Sequence, residues 1–329
     1  MNTFLFALNA IMPIVLLIAL GYLLKKAGLF GEEFLNKGNA FSFRVLIPAM
    51  LFCNIYDLDD LGEINGKAVL FAVAAILLTF LLGCALVLPV TKDNGERGAL
   101  VQSSFRSNTA VIGVPLSTAL FGAQGAAAAS VLSAFTIPLF NVFAVITLTI
   151  FDKENENTKI NLKKLVLGII RNPLIIAVLL GLAVLGVRSV FVKAGIGFRL
   201  KDITFLYDAL KKIALCGTPF PLIVLGGKFE FKAVGKRVRS ILYGVFMRIV
   251  LVPVIILGLA YFFIPDIGGA YFAAYVAAFA TPVAVSSAIM AKEMNSDAEL
   301  AGQIVIFSTL FSIVTLFLII VFFRSVGIF

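Results

Sequence analysis

The stretch Ser107–Gly122, SNTAVIGVPLSTALFG, lies between apolar runs and carries an asparagine, a glycine and a proline where an unbroken membrane helix would run. Pro115 has no amide hydrogen and its ring clashes with the carbonyl one turn earlier, that of Val111, while Gly113 loosens the same turn. The helix is expected to open there. Unpaired backbone in hydrocarbon is tolerated only where protein or a water-filled cavity satisfies it. The device recurs in ATPVAVSSAIMAKEMN, Ala280–Asn295, where Thr281-Pro282 frees the carbonyl of Ala278 and the hydroxyls of Ser286 and Ser287 follow.

The surrounding chain explains why such breaks matter. Hydrophobic residues make up 61% of the 329 positions and charged residues 14%, against roughly 45–50% and 25% in soluble domains. Apolar runs of membrane-spanning length recur from end to end, so the chain reads as an all-α integral membrane protein. Ten spans are predicted, at 4–24, 39–57, 68–90, 99–122, 127–150, 165–187, 205–227, 241–263, 269–291 and 300–323. The start, MNTFLFALNA, lacks the basic region of a signal peptide, so its apolar run is expected to be a retained span.

The formal charge of +9 reflects topology rather than nucleic acid. With the N-terminus outside, the inside loops hold fifteen Lys and Arg and the outside segments six. The positive-inside bias therefore predicts a multi-pass protein of the cell (inner) membrane with both termini on the non-cytoplasmic side. The basic stretch 188–201 runs against this count and is expected to lie along the outer surface.

The polar loop Phe151–Lys164 divides the spans five and five, giving a first repeat at 1–151, a cytoplasmic linker at 152–164 and a second repeat at 165–329. Pro13, Pro48, Pro89 and Pro115 pair with Pro173, Pro219, Pro253 and Pro282 at offsets of 160 to 171 residues. Five spans per half force the second copy to be inverted, an architecture known in transporters. Broken spans four and nine then cross near the midplane, where half-helix N-termini present free amides and positive dipole ends to an anionic group.

Intramembrane charge is costly, and each case has two readings. Arg106 either makes a bidentate contact to a carboxylate or snorkels to the headgroups. Arg248 has no substrate-facing neighbour and is expected to serve helix packing. Asp208 and Lys212 are spaced for a local ion pair at the start of span seven. Asn54, beyond Pro48, either lines a cavity or satisfies freed backbone. Lys292 and Glu293 are expected to end the helix of span nine. The candidate substrate site is thus Arg106, Asn108, Thr109, Pro115, Thr281, Pro282, Ser286 and Ser287, with Asn54.

The chain has no His, no GxxxxGK[ST] loop and no mid-span carboxylate pair, which argues against an enzyme or an ATP-driven pump. Cys53, Cys84 and Cys216 fall in apolar runs without metal-like spacing. No cofactor is expected. The coupling ion, sodium or proton, is left open, with Asp57 available for protons and unwound carbonyls for sodium.

At Ser107–Gly122 and Ala280–Asn295 the sequence resembles the auxin efflux carrier family, which includes plant auxin exporters and bacterial malate-type permeases. FRVLIPAMLFCNI, Phe43–Ile55, and GTPFPLIVLGGKF, Gly217–Phe229, are similar to that family's proline-containing segments. The resemblance implies ten spans in two inverted five-helix repeats, a scaffold part and a transport part, and crossing spans four and nine as in bile acid sodium symporters. It also implies a homodimer. Asn108 and Pro115 match the first crossover and Pro282 the second, although this sequence has no Asn near Pro282. The expected function is secondary transport of small organic anions, carboxylates like malate or auxin, by alternating access. The alternative is a ligand-binding membrane sensor or partner subunit with the same pocket and no net flux.

Overall fold

The computed structural model describes residues 3–57, 65–152, 167 and 170–329. The expected linker therefore lies outside the described residues from 153 onward. The described regular structure is helical: α1 Thr3–Lys26, α2 Glu32–Phe41, α3 Ile47–Tyr56, α4 Gly66–Val87, α5 Asn94–Phe105, α6 Val114–Ile150, α7 Pro173–Lys193, α8 Thr204–Leu215, α9 Pro219–Lys228, α10 Phe231–Phe246, α11 Val252–Phe263, α12 Gly269–Phe279, α13 Ser286–Glu293 and α14 Ala298–Ser325. Among the described residues, seven helical stretches are long and apolar enough to cross a membrane: Glu32–Tyr56, Gly66–Val87, Thr109–Ile150, Pro173–Val192, Thr204–Lys228, Arg237–Phe263 and Ala298–Ser325. The chain is a multi-pass helical membrane protein.

Local chemistry sets where these helices begin. Asn65, Asp93, Asn172 and Asp297 cap α4, α5, α7 and α14, each accepting a bond from a backbone amide of the first turn, which satisfies donors a helix start leaves open. Pro48, Pro115 and Pro253 each sit in the first two positions of a helix and follow a five-residue π turn, Ser42–Leu46, Thr109–Gly113 and Met247–Leu251. A proline cannot donate to the carbonyl four residues back, and the turn before it widens to absorb the missing bond.

The stretch Thr109–Ile150 spans 42 residues, about 63 Å as straight helix and twice the hydrocarbon thickness. It is not straight. Phe121 and Gly122 leave helical geometry, and Gly122 takes φ +56°, a backbone state closed to most side chains. A Cβ at Gly125 would stand 2.0 Å from the Ser117 carbonyl oxygen, although eight residues of straight helix would separate the two by about 12 Å. The chain folds back on itself at that point.

Packing pairs α1 with α9, α3 with α7, α4 with α5, α12 with α6 and α13 with α14. Phe80, Phe105 and Phe143 interlock, with ring centroids 4.9 to 6.3 Å apart, and fix the end of α5. The outer surface is apolar; Phe205, Phe262 and Phe263 are more than three-quarters exposed, as side chains facing lipid are. Polarity is concentrated inside, where Gln102, Arg106, Asn108, Arg248 and Thr281 are all buried. One expected pair does not form: Asp208 makes no ion pair with Lys212, and the ion pair of this helix is instead Lys211 with Asp57.

Candidate functional site

The two broken helices meet. α5 ends at Phe105 and α12 at Phe279, and the segments that follow run antiparallel, Ser107 opposite Val283. The Asn108 amide donates to the Pro282 carbonyl at 2.9 Å and the Ala284 amide to the Arg106 carbonyl at 3.2 Å. Each opened helix thus supplies the other with the partner it gave up. The Ser107 hydroxyl bonds Thr281 Oγ1 at 2.5 Å, and Thr281 donates onward to the Ala277 carbonyl at 2.9 Å. Gly113 permits the crossing, since a Cβ there would stand 2.6 Å from the Ala277 carbonyl oxygen.

The ends of α5 and α12 leave carbonyls without helical partners, and one side chain collects them. Arg248, fully buried, donates through Nε to Thr281 O at 2.9 Å, through Nη1 to Ser104 O and Phe105 O at 3.2 Å, and through Nη2 to Ala278 O at 3.2 Å. Its charge faces the negative dipole ends of both half-helices. The packing role expected of Arg248 is borne out in a more specific form.

Beyond the crossing the chain re-enters helix, and here the free groups are donors. The first bond of the π turn runs from Ile112 to the Asn108 carbonyl at 3.1 Å, so the amides of Thr109, Ala110 and Val111 have no partner within their own helix. In the other half, the first bond runs from Ser287 to the Ala284 carbonyl at 2.9 Å. These two positive ends converge on a cavity of about 60 Å³ lined by Arg106, Ser107, Asn108, Ala110, Val111, Ala284 and Ser286, and walled by Met50, Ile137, Phe140 and Asn141. Arg106 is 3% exposed; its Nη2 donates to Asn141 Oδ1 at 2.7 Å and its Nη1 contacts the Met290 sulfur. Among the described residues no carboxylate pairs with it. Asn108 Nδ2, Thr109 Oγ1 and Ser287 Oγ are buried without hydrogen-bond partners among the described residues.

A second cavity, about 210 Å³, shares Ala110 and Ile137 with the first and extends past Ser133 to Asn54 and Asp57. Asp57 is held there by Tyr207 and Lys211. A third, about 300 Å³, lies at the other end of the Glu32–Tyr56 span, against α13.

Whole-chain comparisons identify the family. A family model described as "Membrane transport protein", that of the auxin efflux carriers, matches residues 6–320. The chain belongs to this family. It is also 24% identical over 313 residues to a protein of Methanothermobacter thermautotrophicus named "Uncharacterized transporter", covering 94% of this chain and 95% of that one. This family member is a membrane transporter by descent.

The predicted residues fall into four groups. Arg106, Asn108 and Ser286 line the crossing cavity. Thr109, Thr281, Pro282 and Ser287 build the crossing behind it, while Asn54 lines the neighbouring cavity. Pro115 stands exposed at the start of α6. The break itself also sits elsewhere than expected: helical geometry fails at Arg106–Asn108, two turns or more before Pro115, which only widens the turn preceding it. Asn141, which orients Arg106, was missed; a lone amide three positions after Pro138 was its only signal.

Proposed function

We propose that the protein is a secondary transporter of small organic anions, with the crossing of the two broken helices as its substrate site. The observation that carries this reading is Arg106: a buried guanidinium without an acidic partner, on a cavity where two helix N-termini also concentrate positive potential. A carboxylate there gains a charge-assisted bond from Arg106 and a neutral one from the unpaired Asn108 amide. Ser286 lines the polar half that lacks a second asparagine, with Thr281 and Ser287 in the crossing behind it.

The ten-span, inverted-repeat architecture belongs to the same proposal. Splitting Thr109–Ile150 at Gly122, counting α5 with the first part and α12 with α13, and adding α1 accounts for ten crossings. Under the pairing of spans one with six and two with seven, the contacts exchange: α1 packs on α9, in span seven, and α3, in span two, packs on α7. That exchange is what an inverted two-fold requires. The same reading places both termini on the non-cytoplasmic side of the inner membrane, supported by the positive-inside charge count. In this reading transport is by alternating access, which a crossing cavity of only about 60 Å³ between larger cavities at the two ends supports, since a solute of metabolite size passes only if one bundle moves against the other.

Uptake of labelled carboxylates into proteoliposomes tests this. Asn108→Ala is expected to lower uptake about tenfold, the loss of a hydrogen bond to a charged group. Uptake at the parental rate removes the crossing as the site.

A further inference from the structure

Two groups of helices are each fastened within themselves. In one, α1 and α2 pack on α9, and α3 packs on α7 and α8; in the other, α4 packs on α5 and α6, α6 on α12, and α13 on α14. The end of α13 is tied into the second group. In the turn after it, the Ser296 hydroxyl and the Asp297 amide donate to the Gly95 carbonyl at 2.8 and 3.2 Å, and Asp297 pairs with Arg237 of α10. Yet two asparagines of the first group hold that same end. Asn39, on α2 and 2% exposed, donates through Nδ2 to Glu293 Oε1 at 2.9 Å and to the Ile289 carbonyl at 3.4 Å. Asn172, the cap of α7, reaches the Met294 sulfur at 3.7 Å. Glu293 ends α13, as expected, and also carries the contact between the groups.

The Asn39 bonds stand on the seam between two cavities. Ser286 and Ile47 line the crossing cavity, whereas Ile289 and Asn39 line the third. The steps are three residues along α13 and eight along the Glu32–Tyr56 span, about 4.5 and 12 Å of helix. Within the seam the π turn Ser42–Leu46 packs on α13, and Ser42, Phe43, Leu46, Ile289 and Met290 are all buried. The seam is closed. The same π turn, between Asn39 and Pro48, is a joint at which the span can bend. On the opposite side the crossing cavity and the second cavity adjoin, sharing Ala110 and Ile137. Beyond the seam Gln303 lines the third cavity at 1% exposure, and neither end of its amide has a hydrogen-bond partner among the described residues. An unpaired buried amide destabilises the closed arrangement and is relieved when water or a solute enters.

We propose that Asn39 is the latch on the cytoplasmic side of the substrate path. Its two bonds to α13 hold the seam shut in this arrangement, and the solute passes between the crossing and the third cavity once α13 parts from Asn39. The inference rests on the transporter reading and on the charge count that puts the end of α13 inside. A hydrogen bond to a charged group shifts an equilibrium about tenfold or more, enough to bias two arrangements and little enough to break in every cycle. Because the donor is a neutral amide, its parting strands no buried cation in the seam. Asn172 adds a weaker contact to sulfur at the same helix end.

Cysteine alkylation on the full chain in lipid nanodiscs reads the latch directly. In a background carrying Cys53→Ala, Cys84→Ala and Cys216→Ala, a water-soluble maleimide probes Leu46→Cys in the seam and, separately, Ser130→Cys in the second cavity. Asn39→Ala is expected to raise the alkylation rate at Leu46→Cys about tenfold and not to raise it at Ser130→Cys. Glu293→Ala is expected to act in the same direction more weakly, because the Ile289 carbonyl still receives Asn39. Melting curves of each variant confirm that it is folded. An unchanged rate at Leu46→Cys, or a rise at both positions as general loosening would give, overturns the proposal. A disulfide in Asn39→Cys/Glu293→Cys is expected to cut succinate flux in proteoliposomes at least tenfold, with recovery on reduction; failure of the pair to cross-link, or full flux in the cross-linked protein, also overturns it. Flux keeps the two readings apart. Labelling that answers to Asn39→Ala in a protein that moves no carboxylate defeats the transporter reading and spares the latch as the closure of a pocket, whereas normal flux indifferent to Asn39→Ala and to the cross-link defeats the latch alone.

Discussion

Two arginines are buried at the crossing, and they are used in opposite ways. Arg248 spends its donors on four backbone carbonyls, Ser104, Phe105, Ala278 and Thr281, at the ends where two helices stop. Arg106 donates to one amide, that of Asn141, and touches a thioether. The first sits where helix dipoles are negative and is matched by them; the second lines the cavity on which two positive ends converge, and among the described residues no carboxylate pairs with it. The difference separates a charge that holds the crossing together from a charge kept available. A buried cation with its donors saturated is structure, and one left unsaturated on a cavity is, under the proposed function, the receptor for the anion.

The largest expected effect breaks the first half of this comparison. Arg248→Ala leaves four buried carbonyls without their donor, and a loss of about 3–5 kcal/mol is expected, enough to collapse the yield of folded protein in detergent. Size-exclusion chromatography and a melting curve check this. A normally folded Arg248→Ala protein would mean that the two half-helix ends need no common cap.

Arg106→Met sharpens the other half. Its removal relieves an uncompensated buried charge, so the melting temperature is expected to stay level or rise by the equivalent of about 1 kcal/mol. A large fall in melting temperature would place Arg106 with Arg248 as a structural cation. Asn141→Ala should have a smaller consequence: Arg106 loses its anchor, and the Michaelis constant for anion uptake is expected to rise about fivefold, as for one hydrogen bond, with little change in maximal rate. The smallest effect is expected at Gln303→Leu, where the gain from removing an unpaired buried amide is about 1 kcal/mol, read as a modest increase in melting temperature without ligand.

Much of the crossing was legible in the sequence because proline chemistry is local. Pro115 and Pro282 mark two helices that break, and the serines, threonines and Asn108 beside them mark where polarity enters. Their exact geometry was not legible. Pro115 disturbs only the turn before it, and the helix parts at Arg106–Asn108 because the carbonyl of Pro282, 174 residues away, is there to receive the Asn108 amide. The same distance in sequence hid the role of Arg248, whose partners lie in two helices it precedes or follows by at least thirty residues. Gln303 gave no signal at all: a glutamine near the start of a span reads as an interfacial residue until its neighbours are known. Conversely, Asp208 and Lys212 had ideal helical spacing yet form no ion pair, while the neighbouring Lys211 pairs with Asp57, 154 residues away.

Flux of labelled succinate in proteoliposomes made with Arg106→Gln, at matched amounts of folded protein, tests the central claim most directly. The account predicts a fall of about ten- to a hundredfold, the worth of a charge-assisted hydrogen bond to the carboxylate. Flux at the parental rate would contradict it, because the unpaired guanidinium would then have no part in receiving the anion.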